Sequence, residues 1–325
     1  MRRRVRGTVT VLIMVAGAAA CGGSGSGSSG PSASDGSGTT TVEVGVIPIV
    51  DVAPLYLGQR KGFFGSRGIK LRMVTAQGGA AIIPGVVSGQ YQFGFSNTTS
   101  LMLAQVKGIA IESVANGAAS NGKAGHDVTG VLVKKNSPIK SAKDLAGHSV
   151  AVNTLQNIGD TTVRESVRLA GGDPGEVRFV EIPFDQMPAA LDGGRVDAAW
   201  MAEPAQTIAE AQGARVVASP FEETDPKLTV ATYFTSTRLA QQNPGLVKRF
   251  TEAMNESLGY ASAHPDEARQ ALTTYTKISG DVLKNLALPS WPPRVDMASL
   301  RKLASLSERD GLFGGKKPDL DALFP

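Results

Sequence analysis

Segments with strand periodicity alternate with helical segments in two successive stretches of this chain. The predicted strands are residues 41–47, 69–74, 91–95, 148–152, 177–182 and 196–200. The predicted helices between and after them are residues 54–61, 80–88, 99–106, 161–169, 187–191 and 204–212. Alternation of this kind predicts an α/β fold with mostly parallel sheets that helices flank.

The length of the chain leaves room for two lobes. The body from Thr41 to Pro325 has about 285 residues, which is enough for two domains of ordinary size. The segments 88–95 and 193–200 are weakly similar to each other, because each pattern predicts the end of a helix, a glycine that terminates it and a short buried strand. After Thr237 the pattern becomes helical, with predicted helices at residues 244–263, 266–275 and 296–307.

The first 20 residues predict export from the cytoplasm. Arg2, Arg3, Arg4 and Arg6 precede an apolar run from Val9 to Ala20, which is the arrangement of a secretory signal peptide. The run has 12 residues, whereas a membrane-spanning helix needs about 20. Residues 1–20 are therefore predicted to be a signal peptide.

Cys21 is the only cysteine in the chain, so no disulfide within the chain is possible. The segment Ala18-Ala19-Ala20-Cys21 resembles a bacterial lipobox, although Ala18 stands where leucine is usual. This resemblance implies that Cys21 carries a lipid anchor. Gly and Ser dominate the following residues, so segment 21–40 is predicted to be the lipidated cysteine and a flexible tether.

The balance of charge argues against nucleic acid as a partner. The chain has 33 basic and 29 acidic residues, but four of the arginines lie in the predicted signal peptide. The remaining chain is close to neutral and lacks the basic surplus that phosphate binding requires.

The motifs of common enzymes are missing from the sequence. His126, His148 and His264 are scattered without the spacing of a metal site, and neither a nucleophile elbow nor a phosphate loop occurs. We therefore expect a protein that is not an enzyme, with no cofactor and no metal.

A series of short segments resembles one family of bacterial proteins. The segments are residues 53–57 with 61–64, 88–89, 139–147, 153–160, 187–191, 196–199 and 202–204. In order and spacing they resemble the solute-binding proteins of the nitrate, sulfonate and taurine importers, a group that includes the NMT1/THI5-like proteins. Together these segments are spread over residues 53–204.

The resemblance implies a two-lobed periplasmic-binding-protein fold of type II. Lobe 1 would comprise residues 41–131 and 232–325, and lobe 2 residues 132–231. Crossing strands near Gly130–Val133 and Val230–Phe234 would form the hinge. The implied function is binding of a small molecule for an ABC permease and, indirectly, its ATPase. The protein would be a monomer held on the outer face of the cytoplasmic membrane by its lipid.

The candidate ligand-binding residues lie in loops that follow strands. In open α/β sheets such loops line the crevice, and helix N-termini there offer free N–H groups. The candidates are Asp51, Ser96, Asn97, Thr98, Asn116, Asn153, Gln156, Asn157, Asp160 and Glu203. The alternative for most of them is helix capping, since Ser, Thr, Asn and Asp are common N-caps.

The candidate loops contain no Lys or Arg, which leaves the ligand open. A monoanion such as a sulfonate or nitrate could bind to helix N-termini, and taurine could add an ammonium group to a nearby carboxylate. A pyrimidine, a thiamine precursor or another heterocycle could instead stack on Phe184 or Trp200. The alternative for both aromatic residues is packing in the core. A ligand sensor with the same fold also remains possible.

Overall fold

The computed structural model describes residues 34–35, 38–278 and 280–325. The predicted signal peptide, Cys21 and most of the predicted tether lie outside the described residues. The end of the predicted tether, however, forms strands: β1 (Ser34–Asp35) pairs antiparallel with the start of β2 (Thr39–Val46). The β-branched residues Thr39–Thr41 favour this earlier start of the strand.

The first sheet of the described residues contains six strands. Besides β1 and β2, they are β3 (Ile69–Thr75), β4 (Phe93–Asn97), β5 (Ile111–Ala119) and β11 (Thr229–Ser236). The order is β1-β2-β4-β11-β5, with β3 also paired to β2. The strands β3, β2 and β4 are parallel, and β11 lies antiparallel to both β4 and β5.

The second sheet of the described residues contains five strands. They are β6 (Thr129–Val133), β7 (Ser149–Val152), β8 (Arg178–Glu181), β9 (Ala198–Ala202) and β10 (Arg215–Ala218), in the order β10-β6-β9-β7-β8. The α/β fold of the prediction is present, and both sheets are mixed. Neighbouring strands that are joined by a crossover helix are parallel. The strands β6 and β11 each follow a passage between the sheets, and each is antiparallel to its neighbours.

Helices cover the two sheets. They are α1 (Ala53–Lys61), α2 (Gly79–Ser88), α3 (Thr98–Val106), α4 (Ile158–Leu169), α5 (Met187–Asp192), α6 (Ala205–Ala211), α7 (Pro220–Thr224), α8 (Thr237–Gln242), α9 (Pro244–Ala263), α10 (Pro265–Ala271), α11 (Gly280–Asn285), α12 (Met297–Arg309) and α13 (Leu320–Leu323). None of the helices in the described ranges is long and apolar enough to cross a membrane.

The chain passes between the sheets through residues 120–128 and 219–228. Both predicted crossing strands belong to one sheet each, because β6 pairs entirely in the second sheet and β11 entirely in the first. We call the first sheet with its helices the first lobe, and the second sheet with its helices the second lobe. Asp127 stabilises the first passage by accepting hydrogen bonds from Ser120 Oγ and from the N–H groups of Asn121 and Val128.

An aromatic cluster is at the centre of the first lobe. The ring of Phe250 on α9 stacks on Phe93 of β4 with 3.8 Å between the ring centroids. Phe64 and Tyr233 also contact the Phe250 ring, at 5.7 and 6.1 Å. All four side chains are fully buried, so α9 and the sheet form one continuous core.

Candidate functional site

Between the lobes lies a small cavity that we call the inner chamber. Its volume is about 30 Å³, enough for roughly two or three water-sized groups. Its polar lining comprises Asp51, Asn97, Thr129, Asn153 and Trp200, and the rest of the lining is apolar. Because Asp51 and Asn97 belong to the first lobe and the other three to the second, the chamber is a product of lobe closure.

A larger cavity, the outer chamber, adjoins the inner one. Its volume is about 480 Å³, and the two chambers share Ile47, Ile49, Phe184 and Ala202 in their walls. The polar lining of the outer chamber comprises Gln77, Asp185, Gln212, Tyr275, Thr276 and Lys277. Cavities of a few hundred Å³ are typical of sites for small organic ligands.

Asp51 is the only ionisable residue among the described residues that line the inner chamber. It lies in a short 3-10 helix (Val50–Val52) directly after β2, with 4% of its surface exposed. The pKa of its carboxyl is raised from 3.8 to about 7, chiefly by burial and to a smaller extent by the charge of Asp127. In the described part of the chain, the carboxylate has its own backbone N–H as hydrogen-bond donor and no lysine or arginine against it.

Two further polar groups in the inner chamber have no partner. The Nε1 of Trp200 and the Oγ1 of Thr129 are buried without a hydrogen bond among the described residues. Buried polar groups are nearly always paired, so unpaired groups along one cavity indicate a place for a ligand or ordered water.

The segment Ser96–Thr98 has mixed roles. Asn97 lines the inner chamber and also caps α3, since its Oδ1 accepts a hydrogen bond from the N–H of Ser100 at 2.9 Å. Ser96 Oγ donates to the carbonyl of Asn97, and Thr98 Oγ1 donates to carbonyls of β11. Ser96 and Thr98 thus stabilise the first lobe and do not line the inner chamber.

Asn153 and Asn157 hold the lobes together. The Nδ2 of Asn153 donates to the carbonyl of Gln77 in the first lobe at 3.3 Å. The Oδ1 of Asn157 caps α4 and accepts a hydrogen bond from Ser100 Oγ of the first lobe at 3.1 Å. The caps of α3 and α4 therefore meet across the cleft.

Glu203 is engaged by the protein itself. Its carboxylate accepts hydrogen bonds from Thr207 Oγ1, from Thr207 N–H and, across the cleft, from the N–H of Ala287 at 3.1 Å. Its carbonyl accepts a hydrogen bond from Val50 N–H of the first lobe. Burial raises the pKa of Glu203 to about 7. This side chain links the lobes and does not line either chamber.

Three candidates lie away from the inner chamber. Gln156 is exposed, and its backbone has a left-handed conformation with φ 54°. Asp160 accepts a hydrogen bond from the N–H of Gln156, and burial raises its pKa to about 6. Asn116 donates to the carbonyls of Pro292 and Arg294 behind the first sheet. A sequence does not show whether a short polar side chain caps a helix, bridges two segments or binds a ligand.

Aromatic residues form the wall next to Asp51. The ring of Trp200 lies 5.5 Å from that of Phe184 and 5.7 Å from that of Phe221, and all three residues line the inner chamber. Phe184 also lines the outer chamber, so it stands where the two meet. Both roles proposed for Phe184 and Trp200, core packing and a ligand-facing wall, are thus compatible with their position.

Sequence patterns do not single out Thr129, Phe221 or Lys277, which also line the two chambers. Thr129 and Phe221 carry no pattern beyond that of a buried strand and a helix start. Lys277 lies in the C-terminal third, far along the chain from the predicted loops, and it brings a cation to the outer chamber. Only the packing of the C-terminal segments against the cleft could place it there.

A second set of contacts closes the lobes at the far side of α4. Arg168 pairs with Asp310, and Arg309 pairs with Glu165, so each ion pair joins α4 of the second lobe to the C-terminal end of α12. Thr161 Oγ1 also lies 3.3 Å from Ser307 Oγ. Together with the contacts of Asn153, Asn157 and Glu203, these bonds define a closed conformation.

Two α/β lobes with a cavity closed between them define a protein of the periplasmic-binding-protein fold. A solved structure with this fold is the zinc-bound ligand-binding component of an ABC-type import system from Staphylococcus aureus. It superposes with a TM-score of 0.76 at 18% identity, covering 88% of this chain and 96% of that one. Within the described ranges of our chain, no three His, Cys, Asp or Glu residues cluster as metal ligands.

Sequence comparison identifies the family. The sequence model of the NMT1/THI5-like family matches residues 49–268, and the chain belongs to this family. A Bacillus subtilis protein named for binding aliphatic sulfonates is 24% identical over 243 residues, which cover 72% of this chain and 70% of that protein. The riboflavin-binding protein RibY of Chloroflexus aurantiacus is 25% identical over 234 residues, with coverage of 68% and 62%.

Proposed function

We propose that this chain is the solute-binding component of an ABC importer and traps a small organic solute between its lobes. The observation that carries the proposal is the inner chamber, which both lobes build. There Thr129 and Trp200 have polar groups without hydrogen-bond partners among the described residues, beside the buried carboxylate of Asp51. A ligand in this chamber would contact both lobes at once and so favour closure. The permease would then recognise the closed form.

The solute is proposed to belong to one of two chemical classes. The Bacillus subtilis relative supports a sulfonate, with taurine and nitrate as related candidates. The Chloroflexus aurantiacus relative and the aromatic wall of Phe184, Trp200 and Phe221 support a heterocycle such as a pyrimidine or thiamine precursor. Asp51, Asn97, Asn153 and Trp200 are the residues we propose to contact it.

The division of the chain into lobes is part of the same proposal. The sheets support lobe 1 from residue 38 to about 119 and again from about 229, with lobe 2 between residues 129 and 218. Residues 120–128 and 219–228 would then act as the hinge. A monomer suffices for this mechanism, because one chain supplies both walls of the cleft.

We further propose that the protein is exported and anchored through a lipid on Cys21. The support is the sequence of residues 1–40 and the membership in a family of extracytoplasmic binding proteins. Expression of the full chain should place it in the membrane fraction, from which detergent releases it. The variant Cys21→Ser should appear in the soluble exported fraction, and membrane retention of this variant would contradict the anchor.

The proposal includes no chemical reaction, and transport is preferred to sensing. A sensor would use the same closure but a different partner, so a neighbouring gene for a sensor kinase in place of a permease would favour it. Catalysis would be revealed by turnover of the bound solute during prolonged incubation.

The direct test is to identify what the protein carries. Native mass spectrometry of the purified full chain should reveal a small molecule that leaves on denaturation. The same compound should raise the melting temperature of protein freed of ligand, and small-angle scattering should show a more compact particle when it is added. If no small molecule copurifies and none of a panel of sulfonates, nitrate and pyrimidines changes the melting temperature, the proposal is wrong.

A further inference from the structure

Among the described residues, the lining of the inner chamber has a negative group and no positive one. Asp51 is its only ionisable residue in the described part of the chain, and the carboxylate accepts no hydrogen bond from another residue there. The charged group that acts on Asp51 is Asp127, which is an acid and not a cation.

The helix N-termini at the cleft are partly occupied by side chains of the protein. Asn97 Oδ1 accepts a hydrogen bond from the N–H of Ser100, the third residue of α3, and Asn157 Oδ1 accepts one from the N–H of Ile158, the first residue of α4. An anion in the chamber would have to approach the buried carboxylate of Asp51. Like charges at short range in a dry site repel strongly.

The size of the chamber also favours a small head group. About 30 Å³ accommodates roughly two or three non-hydrogen atoms. An amidinium or a primary ammonium with its carbon fits this space, and the rest of the molecule would pass Phe184 into the outer chamber. Trp200 and Phe184 both line the chamber, and aromatic rings attract cations.

We infer that the inner chamber binds a cationic nitrogen group with N–H donors, so that the solute is an organic cation or zwitterion whose ammonium or amidinium end meets Asp51. The inference rests on the proposed function, since it names the class of solute for the same cleft. A simple sulfonate or nitrate is then disfavoured as the ligand. Thr129 Oγ1 would accept a hydrogen bond from the head group, whereas Trp200 Nε1, which can only donate, would donate to a water or to an acceptor elsewhere on the solute.

The test uses three probes that share a phenyl ring: benzamidine, benzamide and benzenesulfonate. Calorimetric titration of the full chain at pH 8 should show binding of the cation benzamidine, weaker binding of neutral benzamide and weakest binding of benzenesulfonate. Asp51→Asn should weaken benzamidine about 30-fold or more, the usual cost of losing the partner of a buried charge. The control Asp192→Asn changes charge by the same amount on the exposed surface of α5 and should leave the affinities unchanged.

A measurement on the unaltered protein avoids any effect of the variant on folding. The pKa of Asp51 is about 7, so at pH 5 about 1% of the carboxyl is ionised in the empty site. Benzamidine stays protonated over this range, and its affinity should fall up to about 100-fold between pH 8 and pH 5. The affinity of benzenesulfonate should stay constant or rise.

The outcomes separate the inference from the proposed function. Tighter binding of benzenesulfonate than of benzamidine at pH 8, unaffected by Asp51→Asn, overturns the inference and leaves a solute-binding protein. If no probe binds, the compound identified by native mass spectrometry decides: a nitrogen cation supports the inference, and a simple anion overturns it. If neither a probe nor a copurified compound is found, the proposed function itself fails.

Discussion

Replacing Asp51 by asparagine should make the ligand-free protein more stable in alkaline solution and leave it unchanged in acid. The substitution keeps the shape of the side chain and removes its charge. In the closed structure the carboxyl has 4% of its surface exposed and no cation against it, so ionisation there is unfavourable. Asparagine avoids this cost at every pH.

The size of the effect follows from proton linkage. Burial raises the pKa of Asp51 from 3.8, its ordinary value, to about 7. Between these values the folded protein binds more protons than the unfolded chain, so its stability falls as pH rises. Below pH 3.8 no penalty exists, and above pH 7 the full penalty is about 4 kcal/mol. Opening of the cleft lets water reach the carboxylate without unfolding, so we expect about 2 kcal/mol in practice.

The assay is thermal unfolding of both proteins, without ligand, from pH 4 to pH 8.5. A gain of about 2 kcal/mol in a chain of this size corresponds to an increase in melting temperature of about 4 °C. The difference should be near zero at pH 4, grow through pH 5 to 7 and then level off. Glu203, whose pKa burial also raises to about 7, titrates in both proteins and therefore cancels in the difference.

A control and two results decide the matter. Asp192→Asn removes an exposed carboxylate and should show no such pH-dependent gain. A difference between Asp51→Asn and the parent protein that is the same at pH 4 and pH 8 would refute the reasoning. A variant less stable than the parent at pH 8 would refute it as well, since it would mean that a hidden donor or cation stabilises the charged form.

Three other substitutions test the closed cleft and the core. Gly78→Val should weaken ligand binding at least about tenfold in titration calorimetry, because a Cβ at Gly78 would lie 2.6 Å from Thr154 Oγ1 across the cleft. The control Gly259→Ala should leave binding unchanged, because a Cβ at Gly259 meets no neighbouring atom. Arg168→Gln should weaken binding about three- to tenfold, less in 0.5 M salt, and a salt-independent loss would contradict an ionic contribution. Phe250→Ala should cost about 3–5 kcal/mol in urea unfolding, and a loss below about 1 kcal/mol would contradict the stacked core.

The fold could be predicted to a large extent because its signals are local. The predicted strand 69–74 and helices 54–61 and 99–106 differ from β3, α1 and α3 by one residue at an end. Periodicity and capping residues act over a few positions, so they are visible in the sequence. The short elements β10, α7 and α13 were not predicted, because four or five residues carry too little pattern.

The candidate site was predictable only in part. The rule that ligand loops follow strands predicted Asp51, Asn97 and Asn153, and the structure places all three in the lining of one chamber. It could not distinguish them from Glu203, whose carboxylate is engaged with Ala287, or from Gln156, which faces solvent. Their contact with a ligand stays a prediction.

The sequence by itself determined most of the longer strands and helices. It also determined the near-neutral charge of the chain after its first 20 residues and the lack of basic residues in the predicted cleft loops. Only the tertiary structure decided where β6 and β11 insert, which side chains bridge the lobes and that Asp51 has no cationic partner in the described residues. The physical reason is the separation along the chain over which the interactions act. Periodicity and capping depend on neighbours a few residues apart, whereas the burial and charge of Asp51 depend on Asp127, Trp200 and other residues that only folding brings to it.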